Sequence, residues 1–339
     1  MAAADLVIVG IAGPRLAEDE RRALRRHAPG GVILFGRNVE SAEQVAALTA
    51  ELRARRPGLL VCLDAEGGRV DRLRSILGPS PSAASLAAEP PRRAGRAGLW
   101  MGRALRALGF DVDFAPVADL DRGHAGNALD GRCFGRTPRA VTARAGAFLR
   151  GLHAAGVGAC LKHFPGLGGA QADTHLRGAP IELTASELGR DLEPFARLAD
   201  EAGAVMINHA TYPAYDGSGR PATLSPAVGR DLLRRRLRFR GVAFSDDMEM
   251  KALGNWGDMP EVCAQALVAG CDVLAVCGPG SLESLPAIAR RLSSPALRER
   301  AGEAGVRLER YRRATSRLRK AGVPFSIAGL RARLSPLSS

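Results

Sequence analysis

The sequence predicts one (β/α)8 barrel of the TIM type over residues 1–339, with extra helices packed on it at residues 296–334. Three observations support this fold class. Short apolar segments alternate with amphipathic helical segments along the chain, as in a parallel sheet covered by helices. Polar residues follow these segments at their carboxyl ends, which meet at one mouth in a barrel. The glycine motifs of dinucleotide-binding and P-loop folds are absent, which disfavours an open doubly wound sheet.

The elements of the first half follow from apolar runs and capping residues. Strands are predicted at residues 6–9, 31–35, 59–63 and 110–115, because each is a short apolar run. Basic amphipathic segments predict helices at residues 18–27 and 92–108. Ser41 and Gln44 form a capping box, a pair whose side chains satisfy free N–H groups at a helix start. A helix is therefore expected from this box to residue 55.

The second half continues the alternation. Strands are predicted at residues 157–161, 204–207, 242–244 and 272–276. A helix at residues 141–155 precedes the first of them, and Thr184 and Glu187 form a second capping box. Ser225 and Pro226 match a helix cap followed by a first-turn proline, which predicts a helix ending at Gly241. Helices up to residue 269 and from residue 282 to 320 complete the pattern.

Length and composition exclude several classes of protein. The 339 residues fit one α/β barrel or two ordinary domains, and no apolar run is long enough to span a membrane. The first nine residues lack the basic region of a signal peptide, so a cytoplasmic protein is expected. The six cysteines are scattered without a C-x-x-C pair. They are expected to be buried in a reducing compartment, without disulfides, metal or cofactor.

The formal charge of +13 does not by itself predict nucleic-acid binding. Nearly all of the charge is arginine, placed on helical segments such as residues 21–26 and 234–238, where apolar residues interrupt the row. That pattern is typical of a solvated amphipathic face. Aromatic residues make up only 4% of the chain, which leaves few side chains for base stacking.

The polar segment at residues 162–175 is the strongest candidate for chemistry. Lys162 and His163 follow the fifth predicted strand, and the next residues are rich in glycine. Asp173 and His175 stand two residues apart at the far side. An aspartate beside a histidine can select the tautomer of the imidazole and prepare it to exchange protons. The alternative is an ordinary surface loop. Six side chains are placed at the carboxyl ends of predicted strands: Asp64, Asp119, Lys162, His163, His209 and Asp246.

These residues resemble a known family, the bacterial β-N-acetylhexosaminidases of glycoside hydrolase family 3. The resemblance is strongest to its single-domain cytoplasmic enzymes of peptidoglycan recycling. The motifs that carry it lie at residues 31–38, 64–72, 114–117, 132, 162–175 and 244–247. They cover essentially the whole chain in order.

The resemblance implies catalytic roles. Asp246 matches the nucleophile that forms a covalent glycosyl-enzyme with retention of configuration, with Asp247 as its rival. His175 matches the general acid/base, oriented by Asp173. The alternative for Asp246 is a helix cap.

The resemblance also implies a sugar site. Asp64, Arg72, Arg132, Lys162 and His163 match positions that hydrogen-bond GlcNAc hydroxyls, and His209 is a further pocket candidate. For the two arginines the alternative is a structural ion pair. The chain departs from the family at Leu167, where a histidine is more usual.

Three hypotheses about function follow. The first is hydrolysis of terminal β-linked GlcNAc by a monomer acting on a carbohydrate, with no metal, cofactor, nucleic acid or membrane insertion. The second keeps the site but makes it a β-N-acetylglucosaminide phosphorylase, because a neutral histidine repels phosphate less than a carboxylate, or a β-glucosidase. The third is a non-catalytic barrel that binds sugar or nucleic acid.

Overall fold

The computed structural model describes residues 2–124, 127–170, 180–319, 326–334 and 337. Over these residues the chain forms a parallel β-barrel surrounded by helices, which confirms the predicted fold class. The strands are β1 Val7–Val9, β2 Gly31–Leu34, β3 Leu60–Leu63, β4 Ala65–Gly67, β5 Val70–Asp71, β6 Val112–Asp113, β7 Gly158–Ala159, β8 Leu161–Phe164, β9 Ala204–Ile207, β10 Val242–Asp247 and β11 Val273–Val276.

The barrel has eight strand positions, because β7 and β8 are two parts of one strand interrupted at Cys160. The first part pairs with β6 and the second with β9, in parallel register. Strand β1 pairs with both β2 and β11, which joins the two ends of the chain's strand series. The carboxyl ends of the strands therefore surround one mouth.

Helices cover the outside of the barrel. They are α1 Glu18–His27, α2 Ala42–Arg55, α3 Arg74–Leu77, α4 Ala83–Ala87, α5 Pro91–Ala107, α6 Pro138–Ala154, α7 Ala185–Ala202, α8 Met259–Ala269, α9 Ser281–Leu292, α10 Arg298–Arg319 and α11 Ile327–Leu334. None of the helices in the described ranges combines the length and apolarity needed to cross a bilayer.

Capping residues account for several helix starts. The Thr184 hydroxyl accepts a hydrogen bond from the Glu187 N–H, and the Glu187 carboxylate accepts from the Thr184 N–H, so the predicted capping box is confirmed. Ser41 accepts from the N–H of Gln44 at 3.1 Å. The Gln44 side chain accepts from the N–H of Glu40 instead of Ser41, so the first predicted box is only half formed.

The segment after Ser225 differs from its prediction. The helix covers Ala227–Arg236 and is of the wide π type, in which the N–H of Leu237 bonds to the carbonyl of Leu232, five residues earlier. The prediction that it ends at Gly241 was wrong. Arg238 has φ +56°, a left-handed conformation that an α-helix cannot contain.

Two strands at the mouth run further than predicted. Strand β8 includes Lys162 and His163, and β10 includes Asp246 and Asp247. The predictions ended these strands where the apolar run ended. Backbone pairing with neighbouring strands continues regardless of side-chain polarity, since the ladder uses only N–H and C=O groups.

A short antiparallel hairpin, β4 and β5, lies over the mouth. Its turn requires glycine at Gly67, which has φ +92°, and a Cβ there would lie 2.1 Å from the carbonyl oxygen of Pro81. At the opposite end of the barrel, the buried Tyr311 of α10 packs edge-on against Phe244 with ring centroids 6.0 Å apart. Helix α10 therefore covers the amino ends of the strands.

Candidate active site

A cavity of about 170 Å³ opens at the carboxyl ends of the barrel strands. It brings together most of the predicted site residues. Those that line it are Asp64, Arg72, Arg132, Lys162, His163 and Asp246. Its wall also includes Glu66, Asp247 and Leu167, together with apolar side chains such as Phe35 and Met206.

One wall of the cavity is a buried network of two acids and two bases. The Lys162 ammonium nitrogen lies 2.6 Å from Asp64 Oδ1 and 2.6 Å from Glu66 Oε1. Arg132 donates from Nε to Glu66 Oε2 and from Nη2 to Glu66 Oε1, both at 2.7 Å. This two-bond contact is the geometry in which arginine binds carboxylates most strongly. Glu66 therefore contacts both cations.

The remaining donors of Arg132 are nearly all used. Its Nη1 donates to the carbonyl of Ala128 at 2.7 Å, and its Nη2 lies 3.2 Å from Nε2 of His163. A guanidinium has five N–H groups. Four of them have partners among the described residues, which leaves one Nη1–H of a side chain that lines the cavity.

Glu66, Lys162 and Arg132 stay ionised in this network. Burial by itself would raise the pKa of Glu66, but the positive charges of Lys162 and Arg132 lower it below its usual range. Burial likewise would lower the pKa of Lys162, and the carboxylates of Asp64 and Glu66 raise it instead. The pKa of Arg132 is also raised, since the attraction of Glu66 outweighs burial. At neutral pH Glu66 therefore carries a negative charge, and Lys162 and Arg132 carry positive charges.

A second cluster holds His163 and the start of the glycine-rich segment. Asp119 is fully buried and its Oδ2 lies 2.7 Å from Nδ1 of His163. The same oxygen accepts from the backbone N–H of His163 at 3.0 Å, and Oδ1 accepts from the N–H of Leu167 at 2.7 Å. Asp119 thereby ties the histidine to the loop that follows β8.

Asp246 and Asp247 differ in their surroundings. Oδ1 of Asp247 accepts backbone N–H groups from Glu249 at 3.1 Å and Cys277 at 3.2 Å. Burial, with the nearby carboxylates of Asp246 and Glu249, raises the pKa of Asp247 to about 6. Asp246 lines the same cavity and its Oδ1 accepts the N–H of Asp247 at 2.8 Å. Asp247 is thus the poorer candidate for an ionised nucleophile.

The two arginines predicted for sugar binding have different partners. Arg132 forms an ion pair with Glu66 and also lines the cavity. The structural ion pair and the position at the candidate sugar site are therefore both observed for this residue. Arg72 packs its guanidinium over the ring of Phe35, 5.7 Å from the centroid. Its Nε is buried and has no hydrogen-bond partner within the described ranges.

His209 lies behind the cavity wall. It is buried, and it is not among the residues that line the cavity. Its Nε2 lies 2.9 Å from the carbonyl oxygen of Asp247, and its Nδ1 lies 2.6 Å from the hydroxyl of Thr223. The structure therefore places His209 where it supports the end of β10.

The predicted acid/base pair, Asp173 and His175, lies outside the described residues. Two residues that the sequence did not assign to the site are Glu66 and Asp119. Glu66 had a local signal, because residues two apart in an extended chain point to the same side, as Asp64 and Glu66 do. Asp119 had no local signal other than its position after a predicted strand, because its partners lie 44 and 48 residues away in the sequence.

Other features do not compete with this cavity. A larger depression of about 930 Å³ lies along α10, and within the described part of the chain Glu309 is the single carboxylate that lines it. It therefore lacks paired carboxylates. Among the described residues, no three His, Cys, Asp or Glu side chains are grouped closely enough to hold a metal ion. The six cysteines are free and buried.

Comparison with known proteins identifies the family. Residues 2–306 match the model of the glycosyl hydrolase family 3 N-terminal domain. A β-hexosaminidase of Stenotrophomonas maltophilia (strain R551-3) is 42% identical over 304 residues, which are 86% of this chain and 90% of that protein. A β-hexosaminidase of Pseudomonas aeruginosa (strain LESB58) is 42% identical over 275 residues, 80% of this chain and 82% of that protein.

Solved structures agree. NagZ from Neisseria gonorrhoeae, in complex with N-trifluoroacetyl-D-glucosamine, superposes with a TM-score of 0.83 and 33% identity over 98% of both chains. A family 3 β-N-acetylglucosaminidase from Paenibacillus superposes with a TM-score of 0.89 and 31% identity, over 99% of this chain and 68% of the other. The chain has the fold of these glycosidases, with a polar cavity at the mouth of the barrel. It belongs to glycoside hydrolase family 3.

Proposed function

We propose that the protein is a retaining β-N-acetylglucosaminidase that removes terminal β-linked GlcNAc from peptidoglycan-derived fragments. Asp246 is the nucleophile in this proposal, and His175, oriented by Asp173, is the general acid/base. The observation that carries it is the small cavity in which Asp246 and the Asp64–Lys162 pair line the same space. The substrate class rests on similarity to β-hexosaminidases, and its peptidoglycan origin rests on the resemblance in the motifs alone.

The size of the cavity supports removal of a terminal sugar. Its volume of about 170 Å³ is well below the roughly 300–1,000 Å³ of pockets that enclose drug-sized ligands. One sugar ring fits such a space, whereas an oligosaccharide needs an open groove. Cleavage at a chain end is the expected consequence.

The polar groups of the cavity suit hydroxyl groups. A sugar hydroxyl both donates and accepts hydrogen bonds. Arg132 has one N–H left for a ligand, and Asp64 uses only Oδ1 for Lys162. Charged donors and acceptors of this kind form strong, directional bonds. The wall therefore offers a ligand both a donor and an acceptor.

The proposed chemistry has two steps. In the first, Asp246 attacks the anomeric carbon as the glycosidic bond breaks, and His175 donates a proton to the departing oxygen. In the second, His175 removes a proton from water, which attacks the anomeric carbon and releases Asp246. Two inversions give net retention. Asp247, whose pKa is raised to about 6, takes part in neither step and has a structural role next to Asp246.

The test compares Asp246→Asn with Asp247→Asn on 4-nitrophenyl β-GlcNAc. Loss of the nucleophile should lower kcat on the order of 10³-fold or more, as removal of an essential catalytic group does elsewhere. Asp247→Asn keeps an acceptor for the two backbone N–H groups and should stay within about tenfold of wild type. Equal losses in the two variants, or no loss in either, would contradict the assignment.

The same assay separates the alternative reactions. Hydrolysis predicts a rate that does not depend on phosphate, whereas a phosphorylase gains turnover with phosphate and releases a sugar 1-phosphate. Turnover of 4-nitrophenyl β-glucoside as fast as the GlcNAc compound would favour a β-glucosidase. A folded wild type that turns over none of these substrates would favour a non-catalytic barrel.

A further inference from the structure

Glu66 is the residue on which both cations of the cavity wall depend. It is 5% exposed, and its carboxylate contacts Lys162 and Arg132 together. Oε1 lies 2.6 Å from the lysine nitrogen and 2.7 Å from Arg132 Nη2, and Oε2 accepts from Arg132 Nε at 2.7 Å. Since a carboxylate oxygen has two acceptor positions, the protein occupies three of the four.

The backbone of Glu66 is fixed from both sides. The preceding residue, Ala65, donates its N–H to the buried Asp113 at 2.9 Å. The following residue, Gly67, takes a conformation that no other residue fits, because a Cβ there would collide with the carbonyl of Pro81. The carboxylate therefore has little freedom to move with its partners, so it serves as the fixed point of the network.

We propose that Glu66 is a positioning residue that holds Arg132 and Lys162 in the arrangement that binds the sugar. This inference rests on the proposed function, since it assigns the sugar as the ligand of the two cations. Without the carboxylate, two positive groups would remain near each other, with only Asp64 to balance them. They would separate, and the ligand would lose donors held at defined positions.

Substitution by glutamine isolates this role. Glu66→Gln keeps the size of the side chain but offers one oxygen and one NH₂ group. Both carboxylate oxygens contact Arg132, so either orientation of the amide places a donor against an arginine N–H. The bidentate contact is lost in every case, together with the negative charge.

The expected result is a loss of affinity with little change in the chemical step. We expect the Kd for GlcNAc, measured by calorimetry, to rise about 10- to 100-fold, the effect of misplacing a charged hydrogen bond. The KM for 4-nitrophenyl β-GlcNAc should rise by a similar factor and kcat should change less than about fivefold, as when an interaction shared by ground and transition states is removed.

Glu261→Gln is the matched control. It makes the same chemical change at a surface ion pair, where Glu261 contacts Arg291 with the glutamate side chain 44% exposed. This control should bind GlcNAc as wild type does. If Glu66→Gln binds GlcNAc as tightly as the control, the positioning role is overturned while the proposed function stands.

A double-mutant cycle shows whether Glu66 acts through Arg132. Glu66→Gln should lower kcat/KM about 10- to 100-fold in the wild-type background and by a clearly smaller factor in an Arg132→Ala background, where only the contact with Lys162 remains to be lost. Equal losses in the two backgrounds would overturn the inference, because a merely structural effect adds independently. If Glu66→Gln does not fold, Glu66→Asp serves in its place, since it keeps the charge but is one methylene too short for the same contact.

A different pattern marks failure of the proposed function. Wild-type protein that neither binds GlcNAc nor hydrolyses its aryl glycoside would overturn both proposals together. Failure of the positioning role alone shows as active wild type with a fully active Glu66→Gln variant.

Discussion

At the scale of single residues, the cavity wall combines charges that are individually costly to bury. Lys162 is almost fully buried, which is unfavourable for an isolated ammonium. Contacts of 2.6 Å with Asp64 and Glu66 offset that cost. The balance of charges explains why Glu66 and Lys162 can remain ionised inside the barrel, and why removal of one member of the network is expected to disturb the others.

The buried carboxyl group of Asp119 is compensated by hydrogen bonds instead of by cations. No lysine or arginine lies within ion-pair distance of its carboxylate in the described ranges. Three N–H groups surround it instead, two from His163 and one from Leu167. These contacts give both carboxyl oxygens of the buried side chain hydrogen-bond partners. Leu167, the departure from the family pattern, is thus held through its backbone N–H as well as by its buried side chain.

The acid/base assignment predicts a dependence on the leaving group. His175→Ala should lose on the order of 10²- to 10⁴-fold activity on a poor leaving group such as an alkyl glycoside, because the departing oxygen needs a proton. A 2,4-dinitrophenyl glycoside departs without one, so its first step should be nearly unchanged. Burst kinetics on the two substrates would measure the difference.

His124→Ala is the control for this prediction. His124 is exposed and does not line the cavity. It should retain wild-type rates on both substrates. If His175→Ala loses the same factor on good and poor leaving groups, the proton transfer belongs to another residue.

At the scale of elements, α7 packs closely against the glycine-rich segment after β8, next to a buried ion pair between Asp191 of α7 and Arg122. Asp191 of α7 is fully buried and accepts from Arg122 Nη2 at 3.0 and 3.1 Å. A Cβ on Gly166 would lie 2.6 Å from Cβ of Asp191, so the two elements approach closely only because glycine is present. Burial, partly offset by Arg122, raises the pKa of Asp191 to about 6 from 3.8.

This shift predicts a pH dependence of stability. Between pH 3.8 and 6 the folded protein keeps a proton on Asp191 that the unfolded chain has lost. The contribution of Asp191 to the free energy of unfolding therefore falls as the pH rises through this window, by up to about 3 kcal/mol. Urea unfolding of wild type and Asp191→Asn at pH 4 and pH 7 should show the free energy of unfolding of wild type falling relative to that of the variant as the pH rises.

Asp200→Asn provides the comparison. Asp200 lies on the same helix and is exposed. Its variant should follow wild type at both pH values. A constant difference between wild type and Asp191→Asn across the range would contradict the predicted titration.

At the scale of the whole molecule, the two ends of the barrel have separate tasks. The carboxyl ends carry the cavity, and the amino ends are closed by α10. Asp272, just before β11, is fully buried there. It accepts from Arg300 at 2.7 Å, Arg307 at 3.1 Å and Arg234 at 2.5 Å. It therefore joins α10, the π-helix and the sheet, and accounts for part of the large arginine content.

This division predicts that stability and activity can be changed independently. Asp272→Asn leaves three guanidinium groups without their common anion and should lower the free energy of unfolding by about 3–5 kcal/mol. Activity at 25 °C should remain close to wild type in the folded protein, because Asp272 and the cavity lie at opposite ends. Thermal unfolding and aryl glycoside assays would check both parts.

Asp231→Asn is the matched surface variant. Asp231 pairs with Arg235, and both side chains are largely exposed. Such pairs contribute about 0–1 kcal/mol, so this variant should unfold near the wild-type temperature. Similar stability losses in the two variants would contradict the role assigned to Asp272.

Much of the fold was predictable because its signals are local. The period of the apolar residues predicted the strands and their order, and Thr184 with Glu187 predicted the start of α7. The boundaries that failed have a physical cause. Strand β10 continues through Asp246 because backbone pairing does not require apolar side chains, and the helix after Ser225 ended early where Arg238 turned left-handed.

Local patterns in the sequence therefore predicted the barrel, the order of its elements and four of the six polar residues placed at its mouth, since Asp64, Lys162, His163 and Asp246 line the cavity. Only the tertiary structure decided which of these residues contact one another. Glu66 and Arg132 are 66 residues apart, and Asp64 and Lys162 are 98 apart. It also placed His209 behind the wall and Asp119 beneath His163. The reason is that periodicity and capping act over a few residues, whereas charge compensation in a buried site depends on distances that only the closed barrel defines.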